Sequence, residues 1–111
     1  MTNPTPITPG AQRVASMVQA HPVLLFMKGS PSFPQCGFSA RAVALLRARG
    51  AAFESFDVLS DDEIRQGAKD HAGWPTVPQL YVMGEFIGGS DIMSEMAESG
   101  ALDTLLLSVK S

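Results

Sequence analysis

The hydrophobic pattern alternates between helix-like and strand-like segments. Apolar residues recur at helical spacing over 14–18, after Thr8-Pro9, a pair typical of a helix N-cap and first helical residue. The segment 23–27, Val-Leu-Leu-Phe-Met, is continuously apolar, as expected for a strand buried on both faces. The pattern therefore predicts a helix that ends near Pro22, followed by a central strand.

The middle of the chain predicts two more helices around a second strand. The first spans 36–49, ends at Gly50 and has an apolar inner face. A strand over 53–58 follows, and Ser60-Asp61-Asp62-Glu63 matches a capping box that opens a helix through about Ala72. The residues predicted on the inner face of the first helix are Phe38, Ala42, Leu45 and Leu46.

The last third predicts a hairpin and two closing helices. The hairpin pairs 79–83 with 85–87 and turns at Met83-Gly84, and Ser90 or Asp91 is the expected N-cap of the next helix. A break near 99–100 separates the two helices. The element order predicts an α/β domain with a mixed sheet and helices on both faces, in which strands joined through a helix run parallel and the hairpin strands antiparallel.

Composition narrows the function classes. The 111 residues suit one domain over 8–111, preceded by a short disordered tail over 1–7 that is rich in Pro and Thr. A net charge of −3 argues against a broad nucleic-acid surface, and no apolar run approaches the roughly 20 residues that span a bilayer. The N-terminal segment lacks the features of a signal peptide, and the single cysteine suits a reducing compartment. Cytoplasm is the default expectation, although a mature organellar protein would look the same.

Cys36 is the only cysteine, and it occupies a predicted helix start. Ser39 stands where the second thiol of a C-x-x-C pair would be, so sulfur chemistry here requires a second sulfur from outside the chain. A helix N-terminus favours the thiolate, and Lys28 at the end of the preceding strand is expected to lower the pKa of the thiol further. The alternative is a buried cysteine that acts as a small hydrophobic residue. The Pro-rich loop before Cys36 favours an exposed and functional thiol.

Three further segments are candidates for binding. Pro78, in Thr76-Val77-Pro78, is either a plain strand-entry proline or a cis proline that turns the Val77 backbone toward an extended peptide. Arg65 and Lys69 lie one turn apart on one helix face, where a solvated face paired with nearby aspartates is the simpler interpretation. The segment 88–91, Gly-Gly-Ser-Asp, predicts a helix N-terminus suited to a charged group, although such turns are frequent.

Together, four segments resemble the monothiol glutaredoxins of the CGFS type. They are Met27-Lys28-Gly29-Ser30, Pro34-Gln35-Cys36-Gly37-Phe38-Ser39, Trp74-Pro75-Thr76-Val77-Pro78-Gln79 and Gly88-Gly89-Ser90-Asp91. The match runs in the family's order and spacing from about Val14 to Leu107. The resemblance implies a thioredoxin-like fold with a central mixed four-stranded sheet, a cis Pro78 and a glutathione groove beside Cys36.

The resemblance also implies roles for individual residues. Lys28 and Arg65 would hold the glycine carboxylate of glutathione with help from Lys69, and Val77 would pair with the cysteinyl backbone. The remaining site residues are Ser90 and Asp91 at the γ-glutamyl end, with Asp91 matching the ammonium, and Gly37 and Phe38, which would shape the site. The chain departs from the family pattern at Ser30, where threonine is more usual, and at Ser90, where many relatives carry a second cysteine.

Two functions follow from the resemblance. The first is a carrier of a [2Fe-2S] cluster bridged between two subunits in a homodimer, acting in cluster transfer and iron homeostasis. Its four thiolates would come from two Cys36 residues and two glutathiones. The expected partners are BolA-type proteins and apo iron–sulfur acceptor proteins.

The alternative is a thiol oxidoreductase that reduces protein–glutathione mixed disulfides through Cys36 alone, an activity in which CGFS members are weak. A binding adaptor is a third possibility, but it would not need Lys28, Cys36, Arg65 and Asp91 together.

Overall fold

The computed structural model describes residues 7–109, which form a four-stranded mixed sheet, five α-helices and one short 3-10 helix. The helices are α1 (Pro9–Ala20), α2 (Gly37–Ala48), α3 (Asp62–Ala72), α4 (Ser90–Ser99) and α5 (Ala101–Leu107). The strands are β1 (Val23–Met27), β2 (Glu54–Asp57), β3 (Gln79–Val82) and β4 (Glu85–Gly88), and the 3-10 helix Val58–Ser60 follows β2. The predicted disordered tail lies outside the described residues except for Ile7. None of the described helices is long and apolar enough to cross a membrane.

The strands lie in the order β2-β1-β3-β4. As predicted, β1 and β2 are parallel and the β3–β4 hairpin is antiparallel. The prediction that strands joined through a helix run parallel is wrong for β3, which pairs antiparallel with β1. The segment 73–78 returns the chain to the end of the sheet where β2 finished, so β3 has to run back in the opposite direction.

Alternate residues of β1 divide the core between the two faces of the sheet. All five residues of β1 are buried, as the apolar run predicted. On one face Leu25 packs with residues of α2, α4 and α5, and on the other Phe26 packs with residues of α1 and α3. The sheet is therefore covered on both sides, which is why β1 carries no polar residue.

Phe38 is not on the inner face of α2, contrary to the prediction. Its side chain is 58% exposed, whereas the buried residues of α2 are Ser39, Ala42, Val43 and Leu46. Phe38 belongs to the first turn of the helix, beside the thiol, where it lines a cavity instead of the core. The apolar periodicity alone does not separate these two environments.

Two predicted helix caps are also shifted by one residue. The N-cap of α3 is Asp61, whose carboxylate accepts a hydrogen bond from the Ile64 N–H (3.1 Å), while Ser60 belongs to the preceding 3-10 helix. The N-cap of α4 is Gly89, so that Ser90 is already the first helical residue. A glycine cap makes no side-chain hydrogen bond, which leaves the first amides of α4 without a capping side chain.

Helices α1 and α3 cross at two glycines. A Cβ atom added to Gly67 would lie 2.3 Å from the backbone of Gly10, and one added to Gly10 would lie 2.3 Å from the carbonyl oxygen of Glu63. Arg13 reinforces the same contact through ion pairs with Asp61 (2.8 Å) and Glu63 (2.9 Å). The close approach of α1 and α3 thus depends on two residues without side chains.

We expect Gly67→Ala to destabilise the fold by up to about 2 kcal/mol. Alanine by itself favours a helix interior by about 1 kcal/mol over glycine, but rigid backbone opposes the new methyl group, and overpacking costs typically 1–3 kcal/mol. Urea unfolding followed by circular dichroism measures the change. Gly37→Ala, in the first turn of α2 with no atom within 4 Å of the added Cβ, is the control and should be nearly neutral. Equal stability of the two variants would show that the crossing tolerates side chains.

Candidate functional site

The ends of three strands meet at one end of the sheet. Because β3 is antiparallel to both neighbours, the end of β1, the start of β3 and the end of β4 lie together, with Phe26 opposite Gln79 and Leu80 opposite Gly88. A cavity of about 400 Å³ opens there, within the range of about 300–1,000 Å³ that is typical of ligand pockets. The predicted site residues that line it are Lys28, Cys36, Phe38, Arg65, Lys69, Val77, Ser90 and Asp91.

Gly37 is the one predicted site residue that does not line the cavity. It is exposed at the first position of α2, between two residues that do face the cavity. Among the other lining residues, Thr76, Pro78 and Gly89 belong to the segments named as binding candidates, whereas the sequence assigned no binding role to Trp74, Pro75 and Ile92.

Cys36 is the N-cap residue of α2 and is a partly exposed free thiol. Its sulfur makes no capping hydrogen bond as a thiol, but the backbone N–H groups of the first turn of α2 stabilise the thiolate. The Ser39 N–H is the largest influence that lowers the pKa of Cys36, partial burial opposes it, and the Phe38 N–H, the Ser39 hydroxyl and the Lys28 charge lower it further. The predicted effect of Lys28 thus has the expected sign, but the helix N-terminus contributes more.

Ser39 connects the residue after β1 to the first turn of α2, next to the thiol. Its side chain is fully buried, and its hydroxyl oxygen accepts a hydrogen bond from the Lys28 N–H (3.0 Å). That bond fixes the end of β1 against the first turn of α2 and leaves the hydroxyl proton available to the Cys36 sulfur. In the sequence Ser39 was considered only as the place of a missing thiol.

The loop between β1 and α2 is a small hairpin. The Gln35 N–H donates to the Lys28 carbonyl (2.8 Å), and Gly29 forms a bridge with Pro34. Gly29 has a φ of +89°, and a Cβ atom there would lie 2.4 Å from the Phe33 carbonyl oxygen, so this position requires glycine. The turn leaves the Phe33 ring 74% exposed at its tip.

Asp57 anchors this loop, a role that the sequence analysis missed. Its carboxylate accepts hydrogen bonds from the Gly29 N–H (2.9 Å) and from the Leu59 N–H (2.9 Å). The end of β2 is thereby joined to the residue after Lys28. An acidic residue at a strand end next to a short helix was the only signal in the sequence.

Arg65 and Lys69 both lie on the cavity wall, half-buried, on the face of α3 that points toward the thiol end of the sheet. The simpler interpretation paired them with Asp61 or Asp62. Within residues 7–109 Asp61 is instead paired with Arg13, and neither Arg65 nor Lys69 forms an ion pair. The cavity therefore has a cationic side made by these two residues and Lys28.

The segment before β3 forms the floor of the cavity. The peptide bond between Val77 and Pro78 is cis, as the resemblance implied, and Val77 lies outside the strand ladder. Gln79, fully buried, holds this segment because its side-chain amide donates to the carbonyls of Thr76 (3.1 Å) and Trp74 (3.4 Å). The Tyr81 hydroxyl donates to the other end of that amide (3.4 Å), and burial raises the pKa of Tyr81 to about 12, so the phenol stays protonated.

The side of the cavity opposite these cations is formed by the start of α4. Ser90 is 6% exposed, and in the described part of the chain its hydroxyl and the Trp74 indole N–H are the buried side-chain polar atoms without a hydrogen-bond partner. Buried polar groups are usually paired, and leaving one unpaired costs about 1–3 kcal/mol. Both orphaned groups line the cavity, which points to a polar occupant.

The described residues include no group of three or more His, Cys, Asp or Glu side chains that could hold a metal ion. Cys36 is thus the thiolate ligand that one copy of the described chain offers, and a metal cluster bound here would draw further ligands from elsewhere.

The Glutaredoxin family model matches residues 23–87, from β1 to β4. The chain belongs to the glutaredoxin family. An uncharacterized monothiol glutaredoxin (ycf64-like) of Synechocystis sp. is 52% identical over 94 residues, which are 85% of this chain and 88% of that protein. Monothiol glutaredoxin-4 of Schizosaccharomyces pombe is 50% identical over 95 residues, and the matched region spans 39% of its length. Both confirm the predicted assignment of this glutaredoxin to the monothiol group.

A solved structure confirms the thioredoxin-like fold. The buckwheat glutaredoxin–glutathione complex has a TM-score of 0.82 and 25% identity to this glutaredoxin, with 96% of each chain covered. The prediction of a mixed four-stranded sheet with helices on both faces is therefore correct.

We expect Ser39→Ala to raise the pKa of Cys36. The substitution removes the hydroxyl that stabilises the thiolate and leaves the Lys28 N–H without its acceptor. The rate of alkylation by iodoacetamide, measured against pH, reports the thiolate fraction, and its midpoint should move upward in the variant. Ser32→Ala, on the exposed tip of the same loop, is the matched control and should leave the midpoint unchanged. An unshifted midpoint in Ser39→Ala would show that the Ser39 hydroxyl does not contribute to the lowered pKa of Cys36.

Proposed function

We propose that this glutaredoxin binds glutathione in the cavity at the end of the sheet and carries a [2Fe-2S] cluster between two copies of the chain. The observation that supports this most directly is a single stabilised thiolate at the edge of a cavity with three cations and one carboxylate in its lining. Glutathione is an extended tripeptide with a thiol near its middle, a carboxylate at one end and both an ammonium and a carboxylate at the other.

The charges of the cavity complement those of the tripeptide. Lys28, Arg65 and Lys69 supply the positive side, which suits the glycine carboxylate, and Asp91 supplies a partner for the ammonium. Val77, outside the ladder beside the cis Pro78, would pair its backbone with the cysteinyl residue. The buckwheat relative, whose structure is a glutathione complex, supports the same ligand for this chain.

The donor set fits a shared cluster. A [2Fe-2S] cluster is held by four thiolates, and each copy of the chain contributes Cys36 while one glutathione per copy would contribute another. The Ser39 and Phe38 amides favour the thiolate that ligation requires, and the Lys28 charge offsets its negative charge. Because glutathione would be held by noncovalent contacts, the bound cluster is readily transferred to an acceptor. BolA-type proteins and apo iron–sulfur proteins, the role in iron homeostasis and a cytoplasmic location remain predictions from the family resemblance.

The lowered pKa of Cys36 also favours a second function, the reduction of protein–glutathione mixed disulfides. The Cys36 thiolate attacks the glutathione sulfur, the protein thiolate leaves, and Cys36 becomes linked to glutathione through a disulfide. A second glutathione thiolate then attacks that disulfide, releasing glutathione disulfide and restoring Cys36. We rank this function second because the resemblance implies that loop 30–35 sets glutathione at an angle suited to metal ligation.

Anaerobic reconstitution with iron, sulfide and glutathione should give a coloured dimer with about one iron and one sulfide per chain. Cys36→Ser should remain colourless because it removes one thiolate from each copy. Visible absorption, metal analysis and size-exclusion chromatography measure the outcome. Full cluster loading without glutathione would overturn the proposed ligand set, and a colourless wild type would overturn the carrier function.

Arg65→Gln should weaken glutathione binding about tenfold, the effect expected for one charge-assisted hydrogen bond at a half-buried site. Titration of the reduced apoprotein, followed by NMR, gives the dissociation constant. Arg49→Gln removes the same charge at the C-cap of α2, at a residue that does not line the cavity, and should bind like the wild type. Equal affinities for all three proteins would exclude Arg65 from the ligand site.

Rapid turnover in a glutathione-coupled assay of mixed disulfides would reverse the order of the two functions.

A further inference from the structure

Arg41 contacts Asp91, the one acidic residue among the described residues that line the cavity. It lies on α2 and approaches Asp91 at the start of α4, with 3.8 Å between its Nη1 and the carboxylate Oδ1. Both side chains are exposed, and Arg41 itself does not line the cavity. No motif in the sequence singles out this residue, because the two helices meet only in the tertiary structure.

The groups around this ion pair would bind opposite charges. The first amides of α4 have no capping side chain, and the buried Ser90 hydroxyl has no partner among the described residues. These donors and the Arg41 guanidinium favour an anion, whereas the Asp91 carboxylate favours a cation. A ligand end that carries one charge of each sign satisfies both sets of groups.

We infer that Arg41 is a specificity-determining residue, which recognises the α-carboxylate beside the ammonium that Asp91 holds. This inference rests on the proposed function, in which the γ-glutamyl end of glutathione occupies the start of α4. On binding, the ligand ammonium replaces Arg41 as the ion-pair partner of Asp91. The Arg41 guanidinium then binds the ligand's α-carboxylate. Arg41 therefore favours ligands that carry the α-carboxylate and disfavours ligands that carry only the ammonium, because it competes with them for Asp91.

Two glutathione analogues separate these effects. Glutaryl-cysteinyl-glycine keeps the carboxylate and lacks the ammonium, whereas γ-aminobutyryl-cysteinyl-glycine keeps the ammonium and lacks the carboxylate. For each one, the equilibrium constant of exchange between Cys36 and the symmetrical disulfide of the analogue is measured by mass spectrometry of the apoprotein. The Cys36 thiolate forms the mixed disulfide, and one analogue thiolate is released.

In Arg41→Gln the constant for the glutaryl analogue should fall about two- to fivefold, as expected for an exposed ion pair, and the fall should shrink at high salt. The exchange constant for the aminobutyryl analogue should not fall, because the substitution removes the Arg41 guanidinium that competes with the analogue's ammonium for Asp91. Arg49→Gln, with the same change of net charge at the C-cap of α2, should change neither constant.

Three outcomes overturn the inference: an unchanged constant for the glutaryl analogue, an equal fall for both analogues, or the same pattern in Arg49→Gln. Failure of the proposed function looks different. In that case the wild type would form its mixed disulfide with glutathione no more favourably than with 2-mercaptoethanol, which lacks both charged ends.

Discussion

The burial of β1 on both faces is the constraint on which the rest of this glutaredoxin depends. A strand covered by α1 and α3 on one side and by α2, α4 and α5 on the other must be apolar throughout, and polar residues begin immediately after its last residue. Lys28 is therefore the first position at which the central strand can present charge. The antiparallel pairing of β3 with β1 and β4 brings two other polar segments to the same end of the sheet.

Buried polar groups then hold the cavity in shape. Ser39 joins β1 to α2, Asp57 joins the loop after β1 to the end of β2, and Gln79 holds the segment before β3. Each of these side chains satisfies backbone groups that would otherwise be unpaired near the cavity, and unpaired groups are costly there. The residues that face the ligand site are thus supported by residues that do not touch it.

Different helices carry the charged side chains on the two sides of the cavity. Helix α3 places Arg65 and Lys69 on the wall from one face of the sheet, while α2 and α4 bring the thiol and Asp91 from the other. The glycine crossing of α1 and α3 lets α3, which carries these two cations, pack closely against α1. A single cysteine in this setting has its negative charge stabilised by helix amides and a lysine, which suits metal ligation as well as thiol exchange.

The sequence by itself determined the segments that form helices and strands, the lone thiol at a helix start and the motifs that placed the chain among monothiol glutaredoxins. These features depend on local spacing, because apolar periodicity, caps and turn residues act over a few neighbours. Only the tertiary structure decided that β3 runs against β1, that Phe38 faces the cavity instead of the core, and that Ser39, Asp57 and Gln79 support the site. The Arg41–Asp91 contact likewise joins residues 50 positions apart in the chain. Such contacts depend on how helices and strands pack, and the periodicity of one segment contains no information about its neighbour in space.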